Sequence, residues 1–343
     1  MELNERMKLI LSAVMHRYIT TAEPVSSSIL ASQYNLNLSS ATIRNELSIL
    51  EKYDYLWHPH TSAGRIPTDK GYRFYVDHLM QKKYLDNKEK ESIVGIYRKS
   101  RELEETMKNT SLLLSKLTNN IGVVMSPIIY NNFVERIQFV TIGNHRILAI
   151  IITDSGMVYQ KIISLSGKID KEILNYLSNY INSELEKKEI NLIDLSSILI
   201  DKLEKYLSFQ IRSNSMHNFL KECFDFQWLE SKIYLDGRIN IMKKPEFKKM
   251  DQLNYILSFI EEENILAKII KKELDFGRTK VTIGKENKQR EIQNCSLITS
   301  KYNIKGKPAG AIVILGPTRM DYPRMISIAE YISDKLSEIL SDY

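Results

Sequence analysis

Three short amphipathic segments follow one another in the first 52 residues, and this succession constrains the fold more than any other feature of the sequence. The first carries apolar residues at helical spacing, namely Leu3, Met7, Ile10, Leu11, Val14 and Tyr18. Pro24 ends that helix and suits the first turn of a second one. After a polar stretch, Ser39 or Ser40 supplies the N-cap of a third helix. Two helices joined by a short turn, the second opening with small polar residues, are typical of a helix-turn-helix.

The third predicted helix has an apolar face, formed by Ile43, Leu47 and Leu50, and a polar face that carries Arg44, Asn45 and Ser48. Small residues and free backbone amides at its N-terminus would allow close approach to a phosphate. An arginine can pair with guanine and an asparagine with adenine. The candidate DNA-binding residues of this helix are Ser39, Ser40, Thr42, Arg44 and Asn45. The alternative is a capped surface helix whose Arg44 and Asn45 are merely solvated.

Two short extended pieces around a glycine-containing tip predict a β-hairpin over residues 55–67. Next to the third helix, such a hairpin would be the wing of a winged helix-turn-helix. Its candidate contacts with phosphate or the minor groove are Thr61, Ser62 and Arg65, although an ordinary hairpin tip would look the same. We expect no metal site at His58 and His60, because no cysteine or acidic cluster lies nearby in the sequence. Residues 1–85, including a fourth helix from Thr68, are therefore the expected DNA-binding domain.

Charge and composition constrain the function less than these motifs do. The net charge is +6, and residues 1–85 hold ten Lys and Arg against eight Asp and Glu, so charge alone does not locate a nucleic-acid site. The two cysteines, Cys223 and Cys295, cannot form a disulfide framework or a four-ligand zinc site alone, which fits a reducing cytoplasm. The acidic N-terminus is no signal peptide, and the longest apolar stretches are too short to span a bilayer. We therefore expect a cytoplasmic protein without a membrane segment.

The rest of the chain alternates between helical and strand patterns, which predicts a multidomain α+β protein. Residues 86–120 form either a linker helix or an exposed helix of the next domain. Strands are predicted between residues 136 and 165 and again between 279 and 315, with helices between them, including residues 190–235. This order suggests one α+β domain that is interrupted by an insertion. No catalytic constellation, phosphate-binding loop or dinucleotide motif is present in the sequence, so we expect neither an enzyme nor a cofactor.

Several segments resemble the heat-inducible transcription repressor HrcA family. They are residues 24–47, 59–73 (beginning PHTSAGRIPT), 281–287, 295–297 and 316–322 (GPTRMDY), with a weaker match at 236–247. The resemblance spans essentially the whole chain. It implies a winged helix-turn-helix over residues 1–85, a GAF-like domain over 121–188 and 248–343, and an inserted, mainly helical dimerisation domain over 189–247.

The resemblance also implies a function. Members of this family are dimeric repressors that bind an inverted-repeat operator upstream of chaperone operons, and the chaperonin GroEL is thought to favour their active state. The aromatic-rich stretch 206–228 would then belong to the dimer surface rather than to an internal core. Three residues, Ser26, Asp54 and Asp236, replace glycines that the family usually has. Asp tolerates a left-handed conformation, so the turn at Asp54 should survive.

Two other functions stay open at this point. A GAF-like domain could bind a small ligand and move the winged helices, although nothing in the sequence specifies one. An enzyme with an accessory helix-turn-helix is disfavoured because no nucleophile–base pair is apparent. Residues 316–322 could hold an anion, but we expect a structural strand-to-helix junction in which Arg319 and Asp321 satisfy the backbone or each other.

Overall fold

The structure is a computed structural model, and it describes most of the chain. The described residues are 3–34, 36–60, 64–97, 102–127, 133–143, 145–154, 158–164, 170–186, Phe219, Glu222, 232–273 and 277–341. The helices are α1 (Glu5–Thr21), α2 (Ser27–Gln33), α3 (Ser40–Lys52), α4 (Asp69–Phe74), α5 (Asn87–Tyr97), α6 (Leu103–Thr118), α7 (Lys171–Leu185), α8 (Arg238–Met242), α9 (Met250–Glu261), α10 (Glu263–Glu273) and α11 (Tyr322–Ser341). The strands are β1 (Leu56–Trp57), β2 (Ile66–Pro67), β3 (Ile121–Met125), β4 (Val134–Ile142), β5 (Arg146–Thr153), β6 (Val158–Ser164), β7 (Ile233–Asp236), β8 (Thr279–Ile283), β9 (Cys295–Ile304) and β10 (Lys307–Pro317). Mixed helices and sheets confirm the α+β class.

The N-terminal unit, residues 3–79, contains α1 to α4 and the β1–β2 hairpin. Its helices begin where polar side chains accept a backbone amide: Asn4 caps α1, Ser26 caps α2, Ser39 caps α3 and Thr68 caps α4. The apolar positions predicted for α1 and α3 are buried, except that Tyr18 is only partly buried. Asp54 follows α3 with φ of 62°, the left-handed conformation that its position was expected to require.

The central unit is built on a five-stranded antiparallel sheet in the order β7-β3-β10-β9-β8. Side chains alternate between its two faces, and both faces are buried. Helices α6 and α11 cover one face, against Val124, Ile298 and Ile312. Helices α8, α9 and α10 cover the other, against Val123, Leu297 and Val313.

A separate three-stranded antiparallel sheet, β4-β5-β6, lies between β3 and β7 in the chain. Helix α7 packs along its β4 edge. There Asn182 Oδ1 accepts from the amide of Ile137 at 2.9 Å, and its Nδ2 donates to the carbonyl of Ile137 at 3.0 Å. The Asn182 amide thus satisfies the two backbone groups of Ile137 that would otherwise be open to a further strand at this edge.

This topology differs from the expected division of the chain. Residues 134–164 were assigned to the GAF-like domain at 121–188, but their strands pair only with one another in the described structure. Residues 233–236 were expected to lie in the insertion at 189–247, and residues 233–235 to be helical, but residues 233–236 form β7 and extend the five-stranded sheet. A run of four residues is too short for periodicity to separate strand from helix. The aromatic stretch 206–228 and Cys223 lie outside the described residues, apart from Phe219 and Glu222.

The expected linker over residues 86–120 is two helices with different environments. Helix α6 buries Met107, Leu113 and Leu114 in the main core and belongs to the central unit. Helix α5 precedes it and contacts α6, with the Tyr97 hydroxyl 3.0 Å from the Thr110 hydroxyl. In the described part of the chain, no helix is both long and apolar enough to cross a membrane.

Candidate nucleic-acid interface

The N-terminus of α3 is held by its own polar side chains. Ser39 Oγ accepts from the Thr42 amide at 3.1 Å and lies 2.9 Å from the Thr42 hydroxyl. Ser40 Oγ donates to Ser27 Oγ of α2 at 3.1 Å, so it also joins the two helices. The turn between these helices contains Asn37, whose φ is 51°, a conformation that asparagine tolerates. Three of the predicted contact residues therefore also fix the start of the helix.

Arg44 and Asn45 lie on the exposed face of α3, opposite Ile43 and Leu47. Within the part of the chain that the structure describes, neither side chain has a hydrogen-bond partner. Ser48, one turn further along, bonds back to the carbonyl of Arg44 at 3.0 Å. The two residue types best suited to read a guanine and an adenine are thus available on one surface.

The hairpin predicted as a wing is present, with Leu56 paired to Pro67 and Trp57 to Ile66. Val25, just before α2, adds a bridge to Arg65, with both backbone hydrogen bonds at 2.8 Å. At Gly64 a Cβ atom would come within 2.5 Å of the Val25 carbonyl carbon, so the close approach of the two backbones requires glycine. Thr61 and Ser62, two of the predicted wing contacts, lie outside the described residues.

Arg65 has a protein partner. Its Nε and Nη2 donate to Oε2 of Glu51, near the end of α3, at 3.2 and 3.0 Å. The other oxygen of that carboxylate contacts Nδ1 of His58 on the opposite side of the hairpin. The Arg65 side chain is only 23% exposed. It connects the hairpin to α3, whereas the sequence predicted a contact with DNA.

Sequence reasoning missed Glu51 and Val25, which hold the hairpin in place. Glu51 is 14 residues from Arg65 in the chain, and no local period relates them. The available signal was a carboxylate near the end of α3 followed by an arginine at the glycine-containing tip. An arginine beside a possible DNA surface can contact DNA or can hold that surface in place by pairing with an acidic side chain. The sequence alone does not distinguish these two roles.

The segment 316–322 is a strand-to-helix junction, as expected, since β10 ends at Pro317 and α11 begins at Tyr322. Its charged residues bind other parts of the chain rather than each other. Arg319 donates to the carbonyl of Ile19 at 2.7 Å, and Asp321 accepts from Lys83 at 2.7 Å. Cys295 is buried, and burial raises the pKa of its thiol. It is a small core residue of the sheet.

Comparison with known proteins decides the family. The model for the HrcA protein C terminal domain matches residues 104–326. The heat-inducible transcription repressor HrcA of Desulforamulus reducens is 36% identical over 349 residues, covering 99% of this chain and 98% of that protein. This chain belongs to the HrcA family. The HrcA protein of Thermoanaerobacter sp. strain X514 is also 36% identical, over 350 residues, and covers 100% of this chain and 98% of its own length. The family resemblance drawn from the motifs is thereby confirmed.

A solved structure supports the fold. The crystal structure of a hypothetical protein determined at 2.2 Å has a TM-score of 0.61 to this chain, with 23% sequence identity, and covers 99% of this chain and 98% of its own. At that identity the likeness concerns the fold alone. HrcA proteins are repressors by name rather than enzymes, in agreement with the expectation that this chain is not an enzyme.

Proposed function

We propose that the protein is a sequence-specific DNA-binding repressor of heat-shock chaperone operons. The observation that carries the proposal is the face of α3 on which Arg44 and Asn45 are exposed and unpaired in the described structure, beside a helix N-terminus capped by Ser39. The N-terminal unit then acts as a winged helix-turn-helix, with α3 in the major groove. The relatives' name, heat-inducible transcription repressor, supports the same conclusion.

Within this proposal the predicted contact residues take different roles. Arg44 and Asn45 read bases, while Ser39, Ser40 and Thr42 bring the start of α3 close to a phosphate. Thr61 and Ser62 at the hairpin tip are proposed to contact the DNA backbone. Arg65 acts mainly through Glu51, by holding the hairpin against α3, and its remaining exposed surface faces the DNA.

We further propose that the protein binds an inverted repeat as a homodimer. One helix in one groove reads only a few base pairs, and a two-fold dimer on a palindrome doubles the contacts. The central unit is proposed to be the GAF-like domain. We propose that the inserted dimerisation segment is the chain between β3 and β7, which contains the β4-β5-β6 sheet and α7. This segment is longer than the insertion expected from the sequence, residues 189–247, and it begins earlier in the chain.

The proposal includes cytoplasmic action and control by the chaperonin GroEL, which would favour the DNA-binding state. Under heat, unfolded proteins would occupy the chaperonin and repression would be relieved. The competing ligand-sensing function differs in what releases the DNA. A metabolite that shifts operator affinity without chaperonin would support that alternative.

Fluorescence anisotropy on a short duplex tests the function. The duplex is one that the full-length protein recovers from a random-sequence pool, and the control is its scrambled sequence. We expect binding about 10³-fold tighter to the recovered duplex, and tighter still with purified chaperonin. Equal and steeply salt-dependent binding to both duplexes would reduce the interaction to electrostatics and contradict the proposal.

A further inference from the structure

Two motifs that the proposed function leaves unused meet in the structure. Helix α4 of the N-terminal unit, in the segment 68–73, lies against β8 and the turn after it, residues 284–286 of the central unit. Arg73 Nε donates to Glu286 Oε1 at 2.8 Å and Arg73 Nη2 to Glu286 Oε2 at 2.5 Å. Nη2 also donates to the carbonyl of Val281 at 2.6 Å. A bidentate arginine–carboxylate pair of this kind fixes the relative orientation of the two side chains as well as their distance.

The same contact has a second anchor one turn earlier in α4. Asp69 Oδ2 accepts from the backbone amide of Lys285 at 2.9 Å. Gly284 has φ of 55°, and a Cβ atom there would lie 2.2 Å from the Asp69 carboxylate. The turn can therefore approach α4 this closely only because residue 284 is glycine.

Arg319 makes a separate contact at the far end of α1. Its Nη1 donates to the carbonyl of Ile19, one of the last four carbonyls of the helix, and its Nε binds Glu246 of the central unit. The last turn of α1 contains no basic residue of its own. Arg319, only 14% exposed, thus supplies from the central unit the cation that a helix C-terminus favours.

A ring contact and two further ion pairs also join the first 89 residues to the central unit. The rings of Tyr72 in α4 and Tyr322 in α11 are both buried, with centroids 5.9 Å apart. After the N-terminal unit, Lys83 binds Asp321 at 2.7 Å and Arg324 binds Glu89 at 2.6 Å. The two units are thus joined at three places: at α4, at the end of α1 and along residues 83–89. A rotation of one unit about any single contact would break the other two.

We propose that Asp69, Arg73, Gly284, Glu286 and Arg319 form a domain clamp that sets the direction of the recognition helix α3 relative to the central unit. In a dimer, this direction fixes the distance and phase between the two recognition helices. The clamp therefore determines which spacing of half-sites the protein accepts. This inference rests on the proposed function, because spacing has meaning only for a dimer on an inverted repeat. The Arg73–Glu286 ion pair is partly exposed, so it adds little stability, and its main contribution is orientation.

Charge reversal in the full-length protein tests the clamp. The variants are Arg73→Glu, Glu286→Arg and the double exchange, which restores the pair. The matched control is the Arg278→Glu, Asp334→Arg exchange, an exposed pair that lies wholly within the central unit. The probes are the duplex recovered by the wild-type protein and versions with one to five base pairs inserted between the half-sites.

We expect the wild-type protein and the control to lose affinity with each insertion. Each single clamp variant should bind the original spacing about tenfold more weakly and discriminate little among spacings, because a flexible connection lowers the effective concentration of the second half-site. The double exchange should recover most of the discrimination. Single variants with the wild-type affinity and spacing profile would overturn the proposal.

A measurement without DNA separates failure of the clamp from failure of the proposed function. Spin labels on Lys52→Cys, at the end of α3, and Lys268→Cys, on α10, in a Cys223→Ser background report the distance between the two units. We expect a narrow distance distribution that Arg73→Glu broadens and the double exchange narrows again. Circular dichroism checks that the variants are folded. An equally narrow distribution in folded Arg73→Glu would overturn the clamp, whatever the DNA assay shows.

Discussion

Glu51 binds Arg65 through two hydrogen bonds of 3.0 and 3.2 Å, and this pair joins the end of α3 to the β1–β2 hairpin. The carboxylate also contacts His58 on the other side of the hairpin. One acidic side chain thus fixes the position of the hairpin relative to the proposed recognition helix. Residues that touch DNA and residues that only hold the surface in place should therefore respond differently to substitution.

Removing Arg65 or Glu51 should have the same consequence. We expect Arg65→Ala and Glu51→Ala each to weaken binding to the recovered duplex, and the double variant to bind no more weakly than the worse single one, because both remove one connection. Anisotropy on the four proteins completes the cycle. Additive losses would mean that Arg65 acts on DNA independently of Glu51.

Arg44→Ala should cost roughly 1–3 kcal/mol of discrimination between the recovered and the scrambled duplex. Its side chain is exposed and has no partner in the described structure, so the free energy of unfolding should stay within about 0.5 kcal/mol of the wild type. Arg290→Ala, which removes an exposed arginine from the central unit, is the control for net charge. An equal loss on both duplexes would argue against base reading by Arg44.

Substitutions at Ser39 should distinguish two roles of this residue: capping the N-terminus of α3, and bringing that N-terminus close to the DNA. Ser39→Ala loses the bond to the Thr42 amide, and we expect it to lower stability by about 1 kcal/mol. Ser39→Asp keeps a capping oxygen but adds a negative charge, so it should stay stable and bind DNA far more weakly. Thermal unfolding and anisotropy measure the two effects. Normal DNA binding by Ser39→Asp would place the start of α3 away from the phosphates.

Gly64→Ala should destabilise the N-terminal unit by roughly 1–3 kcal/mol, because the new Cβ would press on the Val25 backbone at 2.5 Å. The control is Gly95→Ala in α5, where a Cβ meets nothing within 4 Å. That change should stabilise its helix by about 0.5–1 kcal/mol. Urea unfolding followed by circular dichroism compares the two variants. A Gly64→Ala protein as stable as the wild type would show that the hairpin can move away from Val25.

Local pattern explains which parts of the fold were predictable. The spacing of Met7, Ile10, Leu11 and Val14 identified the buried face of α1, and Ile43, Leu47 and Leu50 did the same for α3. These faces follow from the helical period alone. The caps at Ser39 and Thr68 were also predictable, because they depend on residues only three positions apart.

Pairing between distant segments was not predictable in the same way. Strands β4, β5 and β6 were identified as strands, but their alternation does not say which sheet they join, so they were assigned to the same domain as β8 to β10. Arg65 was predicted as a DNA contact, and its pairing with Glu51 was missed because the two side chains meet only after the hairpin forms. The positions of Arg73 and Arg319 depend in the same way on contacts between units that are more than 200 residues apart in the chain.

Selection from a random-sequence pool by the full-length protein, followed by anisotropy on the recovered duplex, tests the central claim most directly. The account predicts an inverted repeat, bound by two copies of the chain about 10³-fold more tightly than its scrambled sequence, with most of that preference lost in Arg44→Ala. A pool that yields no shared sequence, or equal binding of both duplexes, would contradict it.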